Sequence, residues 1–335
     1  MTEPVAVYRS RGGARVYRIP LDLFPELSGF AHLVVSDGFV ALVDAGSGFG
    51  DANEQLEAGL QAVRQQHGEL LGWSDLTHIL ITHGHIDHFG GLHYVRERSP
   101  APLGVHELDR RVLIRYEERV AVVAQRLAAY LREAGVSPEE HEDLMQLYLL
   151  NKQLFHSIPV DFTYAAAGME LGPLRMLHVP GHTPGHVVLL LDDLMLSGDH
   201  ILERISPHLA PERLTLHTGL THYLDSLELL RPLAEDVRLV LGGHEGVFSN
   251  LEARIDEIHD LYVQRLELTL ELTRQPATLA QVAAGLFNQP KGYHRLLALE
   301  EAGAYVEYLE QRGQVGLEDL DALNDPERGA AYVRI

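Results

Sequence analysis

Three imidazoles and a carboxylate fall within six residues, His83-Gly84-His85-Ile86-Asp87-His88. Histidine is the commonest metal ligand among side chains, and Zn²⁺ accepts its nitrogen and carboxylate oxygen readily. Gly84 permits a tight turn, so His83 and His85 can face one ion while Asp87 and His88 serve another. The chain has no Cys, so every metal ligand has to be His, Asp or Glu. Two cations about 3.5–4 Å apart would lower the pKa of a shared water, present hydroxide to a carbonyl or phosphoryl centre, and stabilise the leaving atom. A polar loop that merely happens to be rich in His is the plainer reading. It explains poorly why the cluster sits at the end of an apolar strand.

That strand is Leu76–Thr82, with Leu76, His78, Leu80 and Thr82 on one face and Ile79 and Ile81 on the other. Other apolar runs end in the same way, with glycine beside His or Asp. Phe39–Val43 leads to Asp44-Ala45-Gly46, Leu171–Val179 to Pro180-Gly181-His182, Leu194–Leu196 to Ser197-Gly198-Asp199-His200, and Val237–Leu241 to Gly242-Gly243-His244-Glu245. Strand ends give ligands rigid support, and glycine lets a loop approach an ion closely. Further strands are expected over residues 14–19, 30–36 and 39–44, with Asp37-Gly38 as a hairpin turn between the last two. A helix is expected over residues 52–67, carried by Leu56, Leu60 and Val63.

Residues 107–155 change character and read as two long helices, the second opened by a Ser137-Pro138-Glu139-Glu140 capping box. Arg111, Arg115 and Arg119 fall at i, i+4, i+8, with Arg126 near the same face. A solvated face is the favoured reading of that row, and an anion-binding stripe the alternative. Past Asn250 the chain is mostly helical. A capped helix starts at Thr278, a longer one covers Tyr293–Leu309, and a strand closes the chain at Ala330–Ile335. That is the outline of a winged-helix-like module. Such modules often bind DNA. Here about 15 acidic residues stand against about 8 basic ones after Asn250, which favours packing or dimerisation instead.

Composition sets bounds on these readings. The chain has 335 residues, 46% hydrophobic and 22% charged, as in an ordinary globular protein. No apolar run approaches the roughly 20 residues that span a bilayer, and the N-terminal stretch lacks an apolar leader core. The expectation is a cytoplasmic protein without a membrane segment. A net charge of −21 repels phosphate backbones and counts against nucleic acid as a partner.

Taken in order, Asp44, His83-x-His85-x-Asp87-His88, His182, Asp199 and His244 resemble the motif series of the metallo-β-lactamase superfamily. The resemblance implies an α/β fold, a four-layer αβ/βα sandwich with its metal site at one edge between two sheets. It implies a domain over residues 1–250 with a helical insertion at about 107–155, followed by the module at 251–335. It places His83, His85 and His182 on one ion, Asp87, His88 and His244 on a second, Asp199 between them, and Asp44 behind the histidine loop. Asp87 would also help to aim the hydroxide shared by the ions. The implied cofactors are two divalent metal ions, with Zn²⁺ expected and Fe or Mn able to take the same ligands.

Within the superfamily the chain looks like the glyoxalase II and LACTB2-like branches. The implied activity is a binuclear metal-dependent hydrolase that uses a metal-bridging hydroxide on a small-molecule thioester, lactone or other activated ester. The alternatives are an endoribonuclease or phosphodiesterase and, further off, an iron-dependent oxidoreductase; a scaffold with a vestigial site would be a non-enzymatic reading. Two residues depart from the family pattern. Glu245 stands where glycine is common and is expected to crowd the second metal, and His200 stands where small or apolar residues are frequent. His178, His186, His208, His217 and His222 read as structural or exposed. The insertion is expected to wall a pocket over the metal edge, or else to form a homodimer interface.

Overall fold

The computed structural model describes residues 4–321 and 329–335. The first three residues of the N-terminal stretch, and residues 322–328 of the expected C-terminal module, lie outside that description. Contacts divide the chain into two compact units. One comprises residues 1–116, 157–207 and 226–255; the other comprises residues 117–156, 208–225 and 256–335.

Two sheets build the first unit. The first sheet follows chain order through β1 (Ala6–Arg9), β2 (Arg15–Phe24), β3 (Leu27–Ser36), β4 (Phe39–Val43), β5 (His78–Leu80), β6 (Leu103–Val105) and β7 (Phe162–Thr163). Strands β1 to β4 are antiparallel, and β4 to β7 run parallel. The second sheet comprises β8 (Glu170–Leu171), β9 (Leu174–His178), β10 (Val187–Leu191), β11 (Leu194–Gly198), β12 (Leu239–Gly242) and β13 (Val247–Phe248).

The pure apolar runs of β4 (FVALV) and β10 (VVLLL) are buried at every position, as a strand covered on both faces requires. Val34, Ala41, Val43 and Leu80 of the first sheet share one core with Met176, Val187, Leu189 and Leu196 of the second. That core is the interior of the sandwich. Burial at roughly 25 cal/mol per Å² of apolar surface is its main driving term.

Helices α1 (Ala52–His67), α2 (Ile86–Phe89), α3 (Leu92–Arg96) and α4 (Glu107–Ile114) connect strands of the first sheet. Helix α1 occupies the expected span, with Leu56, Leu60 and Val63 buried, and ends on Gly68 at φ 74°. The extended stretch Leu76–Thr82 is a strand only over β5. Strand β2 runs on to Phe24, past the expected end at residue 19, and β1 was not among the expected strands.

The second unit is helical. Its main helices are α5 (Tyr116–Glu133), α6 (Pro138–Lys152), α7 (Leu220–Leu230) and α8 (Leu251–Leu272). Then come β14 (Ala277–Thr278), α9 (Leu279–Leu286), α10 (Tyr293–Glu310), β15 (Val315–Leu317) and β16 (Ala331–Arg334). From α8 onward the order is helix, strand, helix, helix, strand, strand, with the sheet ordered β14-β16-β15, as in a winged helix.

In this order α10 takes the place that a DNA-reading winged helix gives its recognition helix. Here Leu296, Ala298, Leu299, Ala302, Ala304, Tyr305, Val306 and Leu309 are all buried, so the helix has no broad face to offer a groove. The apolar sides of α5 and α6 pack into the same core: Leu127, Tyr130, Leu131, Leu144 and Tyr148 lie against Leu279, Val282, Leu296, Leu299 and Val306. These apolar sides, offered by the sequence as a pocket wall or a homodimer interface, belong to the core of this unit.

Two local expectations also change. The arginine row does not run through, because the helix ends at Ile114 and Arg115 leaves helical geometry at φ −139° and ψ 44° before α5 begins. Arg119 donates to Thr215 Oγ1 at 2.8 Å and Arg126 to the Leu214 carbonyl at 3.1 Å, so both are engaged within their own unit. Ser137 does cap α6 by accepting from the Glu140 amide, but the return arm of the box is missing. The Glu140 carboxylate pairs with Arg295 at 2.8 Å instead.

Candidate metal centre

Strand β5 delivers Thr82 and His83 to one end of the first sheet, and a short loop with α2 then carries His85, Asp87 and His88. Two groups of ligand atoms form there, each within 4.8 Å: His83, His85 and His182, and Asp87, His88, Asp199 and His244. All seven belong to the first unit. His182 arrives from the loop after β9, Asp199 directly from the end of β11, and His244 from the loop after β12.

The Asp199 carboxylate faces both groups. Its Oδ2 lies 3.9 Å from His83 Nε2, 3.8 Å from His182 Nε2 and 3.3 Å from His244 Nε2. Its Oδ1 lies 3.3 Å from His88 Nε2. Asp87 Oδ2 lies 3.4 Å from His244 Nε2. His83, His88, His182, Asp199 and His244 are buried, whereas His85 and Asp87 are partly open to solvent.

The other ring nitrogens are anchored. His88 Nδ1 meets Asp44 Oδ2 at 2.8 Å, His244 Nδ1 meets the Ser28 carbonyl at 2.7 Å, and His83 Nδ1 meets Thr82 Oγ1 at 3.0 Å. A carbonyl can only accept, so His244 carries a proton on Nδ1. The Asp44 carboxylate assigns the same for His88. In the neutral rings Nε2 is then a lone pair directed into the site. Asp44 also accepts from the Thr82 amide at 2.8 Å and from the Thr82 hydroxyl, and it adopts a left-handed φ of 62° to do so.

The polar atoms themselves call for an ion. His83 Nε2, His88 Nε2 and Asp199 Oδ1 are buried and make no hydrogen bond among the described residues; the 3.3 Å approach of the last two lacks hydrogen-bond geometry. Buried polar atoms are costly unless satisfied, and this set of imidazoles and carboxylates fits divalent transition metals. Without metal the site is tightly coupled by charge. Burial alone would lower the proton affinity of His88 and His244, but the carboxylates of Asp199 and Asp87, with Asp44 for His88, outweigh it. His88 is held well above the ordinary histidine value, and His244 is pushed up to about 10. Burial also disfavours charge on Asp87, yet the facing His88 and His244 hold its carboxyl below the usual carboxylate range.

Several supporting residues had no signal in the sequence. The Arg18 guanidinium lies 3.2 Å from the Phe30 ring centre and donates to the Glu245 carbonyl at 2.6 Å, bracing the loop that carries His244. The Phe30 amide donates to the Gly243 carbonyl at 2.8 Å. A Cβ on Gly243 would fall 2.6 Å from both Asp199 Oδ1 and His88 Cε1, so only glycine fits. His186 accepts from the Asp199 amide at 3.1 Å and stacks on His83, which gives this flagged histidine a structural role beside the ligands.

Glu245 does not crowd the site as expected. Its carboxylate accepts from the Arg204 and Ile205 amides at 2.8 and 3.0 Å, and so pins a neighbouring loop. His200 is buried, and burial together with the charge of His182 pulls its proton affinity down to about 3. His178 contacts the Pro184 carbonyl at 2.7 Å, and His208 approaches Glu300 at 3.2 Å. His217 and His222 gather with Glu212 in the second unit. There Glu212 Oε1 already accepts from the His217 amide and faces His222 Nε2 at 3.1 Å, an arrangement that an ion pair accounts for.

Residues 24–244 match the family model described as the metallo-beta-lactamase superfamily. A hydroxyacylglutathione hydrolase from Shewanella sp. (strain ANA-3) is 30% identical over 203 residues, covering 61% of this chain and 57% of the relative. A probable metallo-hydrolase from Bacillus subtilis (strain 168) is 30% identical over 129 residues, covering 37% of this chain and 49% of the relative. The chain thus spans about half the length of the curated relatives it matches. Among solved structures, a metallo-beta-lactamase family protein from Thermus thermophilus superposes with a TM-score of 0.73 at 26% identity, covering 96% of this chain and 98% of that one. A beta-lactamase domain protein from Burkholderia ambifaria superposes with a TM-score of 0.73 at 22% identity, covering 98% of this chain and 94% of that one, a likeness of fold.

Proposed function

We propose a function from one premise: this chain belongs to the metallo-β-lactamase superfamily. It is a metal-dependent hydrolase of thioesters, lactones or other activated esters of small molecules. His83, His85 and His182 hold one divalent ion, Asp87, His88 and His244 hold a second, and Asp199 is shared. Zn²⁺ is the expected ion. The observation that carries the reading is the Asp199 carboxylate, which faces nitrogen atoms of both groups at 3.3–3.9 Å. The hydroxyacylglutathione hydrolase relative supports the choice of a thioester among the substrates.

Bound ions would acidify water and polarise the acyl carbonyl. The chain's own residues do the rest. Asp44, Ser28 and Thr82 fix three imidazoles with Nε2 inward, so the ligands need little reorganisation. Asp87 is partly exposed and stays ionised, so it orients water by accepting a hydrogen bond and does not store a proton. In the net reaction water adds to the acyl carbon, the bond to sulfur or oxygen breaks, and the departing thiol or alcohol takes the proton.

The test is a hydrolysis panel on metal-loaded protein: acyl-glutathione and acyl-CoA thioesters, lactones, phosphodiesters and single-stranded RNA. Turnover of a thioester or lactone, lost together with bound metal in Asp199→Ala, is expected. Cleavage confined to phosphodiesters or RNA would replace the reading with the nuclease one, and protein that holds no metal after reconstitution would end it.

A further inference from the structure

One buried carboxylate joins the two loops that carry His83, His85 and His182, and it is none of the ligands. Asp109 lies in the first turn of α4, where an acidic residue ordinarily faces solvent and favours the helix dipole. Here it is fully buried. Its Oδ2 accepts from the Gly84 amide at 2.7 Å, between His83 and His85. The same oxygen accepts from Thr183 Oγ1 at 2.7 Å, next to His182, and Oδ1 accepts from the Gly185 amide at 2.9 Å. The packing around it leaves no slack. A Cβ on Gly185 would fall 2.6 Å from the Asp109 nitrogen and 2.8 Å from its Cγ.

We propose that Asp109 is the positioning residue for the ion held by His83, His85 and His182. It ties the His83–His88 loop to the Pro180–His186 loop, so that ligands about a hundred residues apart in sequence meet at a set distance. Asp44 holds His88 of the second group directly and reaches His83 only through Thr82. Burying a carboxylate costs several kcal/mol unless hydrogen bonds replace its hydration. Burial does push the Asp109 carboxyl up, against the opposing effect of the Thr183, Gly84 and Gly185 hydrogen bonds. An apolar residue would plug the gap between the loops at lower cost but could not hold two backbone amides and a hydroxyl in one geometry.

Asparagine separates positioning from filling. It matches the volume of Asp109, but its NH₂ must face the backbone N–H of either Gly84 or Gly185, whichever way the amide is turned. The inference rests on the two-ion reading, and the test is built to tell their failures apart. Metal-free wild type, Asp109→Asn and Asp109→Ala are titrated with Co²⁺ alone and followed by visible absorption, and thermal melts of the metal-free proteins check folding. His85→Ala and His244→Ala assign the two binding events. The expected result is about a 10–100-fold loss of affinity for the event missing in His85→Ala, in line with the loss of an outer-shell partner. The event missing in His244→Ala should be unchanged. Wild type that takes up fewer than two ions overturns the two-ion reading and this inference with it. Wild type with two ions, and an Asp109→Asn variant that melts normally yet weakens both events equally or neither, overturns this inference alone.

Discussion

His83, His88 and His244 share one constraint: each has its Nδ1 engaged at 2.7–3.0 Å, which leaves Nε2 as the atom directed into the site. Orientation of this kind is inexpensive to state and costly to lose. Asp44 carries two of these duties, through Thr82 to His83 and directly to His88. Asp44→Ala should therefore reduce metal affinity about 10–100-fold without removing a ligand. Equilibrium dialysis against a chelator measures this. Unchanged affinity would reduce Asp44 to a turn residue with φ 62°. Four of the seven candidate ligands were readable because they are local, three imidazoles and a carboxylate in six residues. Asp109 was not, because an Asp in a helix's first turn is commonplace and its partners lie 25, 74 and 76 residues away.

Helix α10 shows how an element takes its role from packing. Its sequence reads as helix but presents no single apolar stripe, because the core wraps it on several sides. That burial reaches Glu300, which faces His208 at 3.2 Å and feels the charge of Lys152, with Tyr130 and Tyr148 nearby. Burial pushes the Glu300 carboxyl up to about 7, with Lys152 opposing. A carboxyl raised above its unfolded value adds stability that is complete below the unfolded value near 4.5 and is lost as pH climbs through about 7. At about 1.4 kcal/mol per pH unit, roughly 3 kcal/mol is at stake. Urea melts at pH 5 and pH 8 should show Glu300→Gln gaining on wild type at the higher pH by an amount of that order. A constant difference would mean that Glu300 ionises freely in the fold. At the start of α9, Thr278 and Gln281 form a reciprocal capping box, as the sequence suggested. Thr278→Ala should cost about 1 kcal/mol in the same melts.

At the scale of the whole molecule the formal charge of −21 is the dominant fact outside the metal centre. A negative surface repels anionic substrates at distance, and salt screens that repulsion over a Debye length of about 10 Å at 0.1 M. For an anionic thioester, kcat/KM should rise as NaCl is raised from about 0.01 to 0.15 M, while a neutral lactone should respond weakly. Equal responses from both would show that local cationic charge governs approach. No helix among the described residues is long and apolar enough to cross a membrane.

The candidate ligand residues and the strand ends that carry them were legible in the chain, and their order carried the resemblance that implied the sandwich. The strand ends and the residues on them are encoded by short-range patterns: apolar alternation, a glycine at a strand end, a His two residues from another. What holds the ligands and where the helices go emerged only from long-range contacts. The Ser28 carbonyl reaches His244 across 216 residues, and the loop pinned by Glu245 lies 40 and 41 residues from it. A hydrogen bond between such distant groups leaves no periodic trace, since a carbonyl or a lone carboxylate looks the same in sequence wherever it points. The same holds for α5 and α6, whose apolar faces could equally have covered a pocket, a partner or α10. Only the fit of Leu127, Tyr130 and Leu144 against the C-terminal helices settled the choice, because packing selects among surfaces that composition leaves equivalent.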